Sequence, residues 1–134
     1  MADFQAAMIQ RLLADGAVQA IVGSKANWVV TGQSVAPPYL RLQDIGGLLS
    51  QHLKGYDGMQ VARVQADCFG VTHRQSNQLA VAVITAIAAP TQVEGVKFGR
   101  GRADGRPRDL GEDVPGKGFI HRASVDLLVA YRLA

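Results

Sequence analysis

The stretch "VARVQADCFGVTHRQSNQLAVAVITAIAAP", Val61 to Pro90, constrains the fold most, because its period changes within two residues. From Val61 to Gly70 the residues Ala62, Val64, Ala66 and Cys68 fall on one side, and Arg63, Gln65 and Asp67 on the other. A period of two is that of a strand with one covered face. Thr72 with Gln75 three residues later is then a capping box, which starts a helix. The apolar run carries that helix to about Ala89, and Pro90 stops it. Cys68 lies on the small-residue face beneath the helix and reads as a buried structural cysteine rather than a reactive thiol. His73, at the first helical position, reads as an exposed residue rather than a ligand.

The rest of the chain supplies elements to pack around this unit. Phe4, Met8 and Leu12 recur every fourth residue, with Ile9 and Leu13 widening the stripe, and Asp15-Gly16 ends this first helix. "GAVQAIVG" is a further short helical turn closed by Gly23, and "NWVV" a short strand. Pro37 and Pro38 hold an extended approach to a strand from Tyr39 to Ile45. "GGLLSQHLKGYDG", Gly46 to Gly58, reads as a protruding hairpin loop with apolar tips at Leu48, Leu49, Leu53 and Tyr56. "QVEGVKFGR" is one strand, and Gly99 to Gly118 a long loop with Arg100, Arg102, Arg106 and Arg108 ahead of its acids. In "FIHRASVDLLVAYR" Phe119, Ala123, Val125, Leu127, Val129 and Tyr131 share one strand face, with Arg122, Ser124, Asp126 and Arg132 on the other. The expected architecture is a single α+β domain over 1–134: an antiparallel or mixed sheet of about four to five strands with two helices on one face.

Two finer expectations follow. An antiparallel register with Arg63 opposite Asp126, Gln65 opposite Ser124 and Asp67 opposite Arg122 matches opposite charges twice. Exchanging the charges of Arg63 and Asp126 is then expected to restore the stability that either single change removes. The helix after Thr72 carries a second apolar stripe, Val81, Ile84 and Ala88, and after Gln78 only Thr85 is polar. Either the first helix and loops cover that side or another subunit does.

Composition excludes several classes. The chain has 134 residues, 48% of them hydrophobic and only 19% charged, so it is neither a disordered tail nor too short to bury a core. A net charge of +3 permits an acidic partner without demanding one. One cysteine leaves no internal disulfide framework and fits a reducing compartment. "MADFQAAMIQRLLADG" shows no basic n-region ahead of an apolar core, and "LAVAVITAIAA" falls well short of the roughly 20 residues of a membrane span, so a soluble protein made in the cytoplasm is expected. His52, His73 and His121 lack zinc-site spacing, and no GxSxG elbow or GxxxxGK[ST] loop occurs, so no catalytic, cofactor or metal residue is assigned. The arginine-rich segment leaves one alternative: a small nucleic-acid-binding module using residues 99–118, weakened by the absence of interleaved aromatics.

Four segments in order, "LLADGAVQAIVG", "APPYLRLQDIG", "ARVQADCFGVTHRQSNQLAVAVITAI" and "GFIHRASVDLLVAYR", resemble the tail-completion, or tail-terminator, proteins of long-tailed bacteriophages and gene transfer agents. The resemblance implies an α+β subunit of a ring, typically hexameric, at the head-proximal end of the tail tube. It implies no enzymatic role. The implied partners are further copies of the chain, the tail tube protein and the head connector or stopper, with DNA only in passage through the lumen and no membrane. Under it the segments Gly46–Gly58 and Gly99–Gly118 gain a use as contacts between subunits or rings; it fixes none of their residues, and Leu48, Leu49, Leu53, Tyr56, Arg100, Arg102, Arg106 and Arg108 are candidates from the residue pattern alone.

Overall fold

The computed structural model describes residues 4–28, 36–52, 55–114 and 118–133. Three helices lie on one face of a seven-stranded sheet, rather than two helices on four or five strands. The order in the chain is α1 (Phe4–Ala14), α2 (Gly16–Val22), β1 (Ala26–Trp28), β2 (Tyr39–His52), β3 (Gly55–Gly70), α3 (His73–Ala86), β4 (Thr91–Val93), β5 (Val96–Ala103), β6 (Arg108–Val114) and β7 (Gly118–Leu133). Strands adjoin in the order β1-β2-β3-β7-β5-β4. β5 pairs with the C-terminal half of β7, and β6 pairs with its N-terminal half. Among the described strands only the β1–β2 pair is parallel.

The local chemistry of the joints is as the sequence implies. The Asp15 carboxylate caps α2 by accepting from the backbone N–H groups of Ala17 and Val18, at 3.0 and 3.2 Å. Gly23, at φ 65°, closes that helix. At the start of α3 the Thr72 hydroxyl accepts from the Gln75 N–H at 3.1 Å, and the Gln75 side chain accepts from the Val71 N–H at 2.8 Å. Gly70 makes the sharp passage possible, since a Cβ there would lie 2.6 Å from the backbone nitrogen of Ser76.

α3 ends at Ala86, three residues before the expected Ala89, because tertiary partners take its last carbonyls. Arg11 Nη2 donates to the carbonyls of Ile87 and Ala89 at 2.9 and 2.6 Å, and the Gly101 N–H donates to that of Ile87 at 2.7 Å. Gly101 permits this approach, since a Cβ would sit 2.6 Å from the Ile87 carbonyl oxygen. The core beneath is mainly apolar: Leu40, Leu42, Val64, Ala66 and Cys68 meet Ala123, Val125, Leu127 and Val129, under Leu79, Val83 and Ile87 of α3 and Met8 and Leu12 of α1. Truncating any one of these leucines to alanine removes roughly 2–5 kcal/mol. Of the second stripe of α3, Ile84 packs against the core, while Val81 remains 59% exposed and Ala88 exposed. No described helix is long and apolar enough to cross a membrane.

The extra strands arise where a tight turn and register shifts interrupt the sequence pattern. "QVEGVKFGR" is a hairpin, not one strand, because Glu94 at φ 50° and Gly95 at φ 80° form a tight turn between the paired Val93 and Val96. The expected loop over Gly46–Gly58 is mostly strand: β2 runs on to His52 and β3 begins at Gly55. Register shifts between Asp44 and Gly47, and again between Leu49 and Gln51, break the alternation and hide the pairing. The expected loop over Gly99–Gly118 likewise contains the end of β5 and all of β6.

Candidate assembly surface

The sheet face opposite the helices carries the charged chemistry. β3 and β7 are antiparallel neighbours, as expected, but the register differs by two residues: Arg63 faces Leu128, Gln65 faces Asp126, Asp67 faces Ser124 and Phe69 faces Arg122. Face alternation cannot distinguish registers two residues apart, since both keep the same residues inward. The expected ion pairs nevertheless form on the diagonal, which long side chains span. Arg63 Nη2 lies 3.4 Å from Asp126 Oδ2, and Arg122 Nε lies 3.5 Å from Asp67 Oδ1.

Two clusters result. In the first, Asp67 is fully buried and central. It accepts from Arg41 Nη2 at 2.8 Å and Nε at 3.3 Å, and from Gln65 Nε2 at 3.1 and 3.3 Å. Phe69 lies under this group, stacked on Tyr39 at 4.4 Å, with the guanidiniums of Arg41 and Arg122 at 5.3 and 6.0 Å from its ring centre. Burial pushes the Asp67 carboxyl up. Hydrogen bonds from Arg41, Gln65 and Ser124, with the charge of Arg122, outweigh it and hold the pKa below the ordinary carboxylate value. In the second cluster Arg63 pairs with both Asp104 and Asp126, and Arg108 Nη2 reaches Asp126 Oδ1 at 3.5 Å. Here Arg63, Asp104 and Arg108 are 37%, 41% and 58% exposed.

The sequence-derived contact residues scatter over this frame. Leu48 and Leu49 lie on β2, facing Val61 and Gln60 where β3 also pairs with β7, and Tyr56 lies on β3 facing Gln51, beyond the last β3–β7 pair at Gln60. Leu53 lies outside the described residues. Arg100 and Arg102 sit on β5, Arg106 between β5 and β6, and Arg108 at the start of β6, all exposed. Only Arg108 of these four has an acid partner among the described residues. Arg41, Asp104 and Arg11 were not singled out in the sequence. Arg11 is 4% exposed and stands 4.6 Å over the Phe98 ring while holding the C-terminus of α3; burial lowers its pKa. Its one sequence signal is its place on the apolar stripe between Met8 and Leu12.

Nothing in this arrangement is a nucleophile poised by a base. Burial, with the charge of Asp67, pushes the Cys68 thiol far up, which makes it an inert core residue. His73 lies exposed 3.6 Å from Asp109, to which Asn77 also donates at 3.1 Å. Beside them along α3 runs an open groove of about 490 Å³ lined by His73, Arg74, Asn77, Gln78 and Val81.

Comparison with known proteins assigns the chain. No curated protein sequence matches it. Among solved structures, a chain described as "Virion of native gene transfer agent (GTA) particle" shares the fold at TM-score 0.67 and 20% identity, covering 97% of this chain and 93% of that one. Another solved structure, at 15% identity and TM-score 0.48 over 98% of this chain and 97% of that one, is too distant to add to the assignment. The family model described as "Tail completion protein gp17" matches residues 6–110, from α1 into β6. With that match spanning most of its length, the chain belongs to the gp17 family of tail completion proteins.

Proposed function

We propose that the protein is a structural subunit of a phage or phage-like tail that closes into a ring, hexameric by analogy with the resemblance, at the head-proximal end of the tail tube. There the ring stops tube polymerisation and joins the tail to the head connector. The observation that carries this reading is the family match over residues 6–110. The geometry is compatible with it. β1 and β4 end the sheet, and β6 has one described partner, so strand edges remain for a neighbouring copy. Beyond Gln60 the end of the β2–β3 pair, where Gln51 faces Tyr56, pairs with no other described strand, which leaves its backbone for a contact between subunits or rings. Val81, 59% exposed on α3, and Phe119, 53% exposed on β7, are further apolar surface for such contacts.

Native mass measurement and electron microscopy of the purified protein, alone and with its tube subunit, test the proposal. A closed ring is expected in at least the second condition. A strict monomer in both overturns it.

A further inference from the structure

The open sheet face is not neutralised evenly. Its acids Asp67, Asp104 and Asp126 are each held by arginines. Toward the C-terminal end of β7 this compensation stops. Lys97 on β5 faces Arg132 on β7 directly, and Arg102 on β5 faces Leu128, the residue that Arg63 meets from the other side. Lys97, Arg102 and Arg132 are all exposed, and none has an acid partner among the described residues. Like charges directly opposite across two strands destabilise the pair. A free subunit therefore gains nothing from Lys97 beside Arg132.

We propose that Lys97, Arg102 and Arg132 form a contact strip for the phosphate backbone of duplex nucleic acid. Four residues of β7 separate the level of Arg102 from that of Arg132, roughly 13 Å of strand at about 3.3 Å per residue. Over that length one DNA strand presents about four phosphates, at about 3.4 Å of axial rise each. An acidic protein surface fits less well. Protein interface cores are depleted of lysine and rich in aromatics, and no aromatic side chain faces the open side between these three cations. The strip differs from Arg100, in the register shift of β5 between Phe98 and Gly101, and from Arg106, between β5 and β6, because strand pairing with β7 holds its cations on one face. Contacts of this kind are ionic, independent of sequence and weakened by salt.

Fluorescence anisotropy of a short labelled duplex, titrated with protein at several salt concentrations, tests the strip. Binding is expected at low salt. The slope of log affinity against log salt should shrink by roughly one unit for each cation removed in the Lys97→Gln, Arg102→Gln, Arg132→Gln variant. The Arg100→Ser, Arg106→Ser variant is expected to lose less. Sedimentation of each variant beside the native protein separates loss of binding from loss of assembly. Three results overturn the proposal: no duplex binding by the native protein at low salt, an unchanged slope in the triple variant, or loss of self-association with duplex binding intact. The last would assign the strip to a protein contact.

Discussion

The two charge clusters on the open face use the same residue types and neighbouring strands, yet their settings differ. Asp67 lies fully buried, with both carboxylate oxygens occupied and an aromatic ring beneath its arginines. Arg63 stands in solvent, shared between Asp104 and Asp126. Coulombic attraction is screened in the second more than in the first, while the desolvation cost falls mainly on the first, Asp126 being the one half-buried acid of the second. A buried charge that loses its partners is costly, whereas an exposed one is rehydrated. The Asp67 cluster is therefore expected to govern stability, and the Arg63 cluster to leave it nearly untouched.

The largest effect that would test this contrast is Asp67→Asn. It leaves Arg41 and Arg122 without their shared anion, and about 3 kcal/mol of stability is expected to go, because breaking a buried pair from one side costs roughly 3–5 kcal/mol and these arginines retain some access to water. Chemical denaturation measures it; a loss no greater than that of an exposed pair would make the two clusters equivalent.

A smaller, pH-dependent effect sharpens the same point. The folded pKa of Asp67 is depressed, so its stabilisation is complete above the unfolded carboxylate value, near 3.9, and is lost as pH falls through the lower folded value. The difference in melting temperature between the native protein and Asp67→Asn should therefore be constant near neutrality and close in strong acid. A difference independent of pH would mean that Asp67 acts through packing rather than charge.

The smallest effect belongs to Arg63. Arg63→Gln should shift the melting temperature less than Asp67→Asn does, and the shift should vanish in molar salt. Exchanging the charges, Arg63→Asp with Asp126→Arg, is not expected to restore the native value, contrary to the simple register, because the new carboxylate would face Asp104. Full restoration would show that Asp104 is no part of the cluster.

Much of this molecule is legible along the chain, and the boundary of legibility has a physical cause. The strand–helix passage at Gly70–Thr72, the capping box of Thr72 and Gln75 and the inward faces of β3 and β7 depend on near neighbours and on period, and these survive in one dimension. So does the adjacency of β3 and β7, through matched charges. The register escaped because a slip of two residues keeps every side chain on its face. The β2–β3 extension escaped because two shifts interrupt its alternation, and the β4–β5 turn because Glu94 takes a positive φ more usual for glycine or asparagine. The strip of Lys97, Arg102 and Arg132 could not be seen either, since strands far apart in the chain bring it together.

By itself the sequence determined which residues turn inward, where the helices begin and that an α+β fold would form, because period, caps and composition act over a few residues. Only the tertiary structure decided where α3 stops, which acid each arginine holds, and which cations have no acid partner among the described residues. Those outcomes depend on carbonyls, rings and charges that meet only when the sheet has closed, as when Arg11 and Gly101 both reach Ile87.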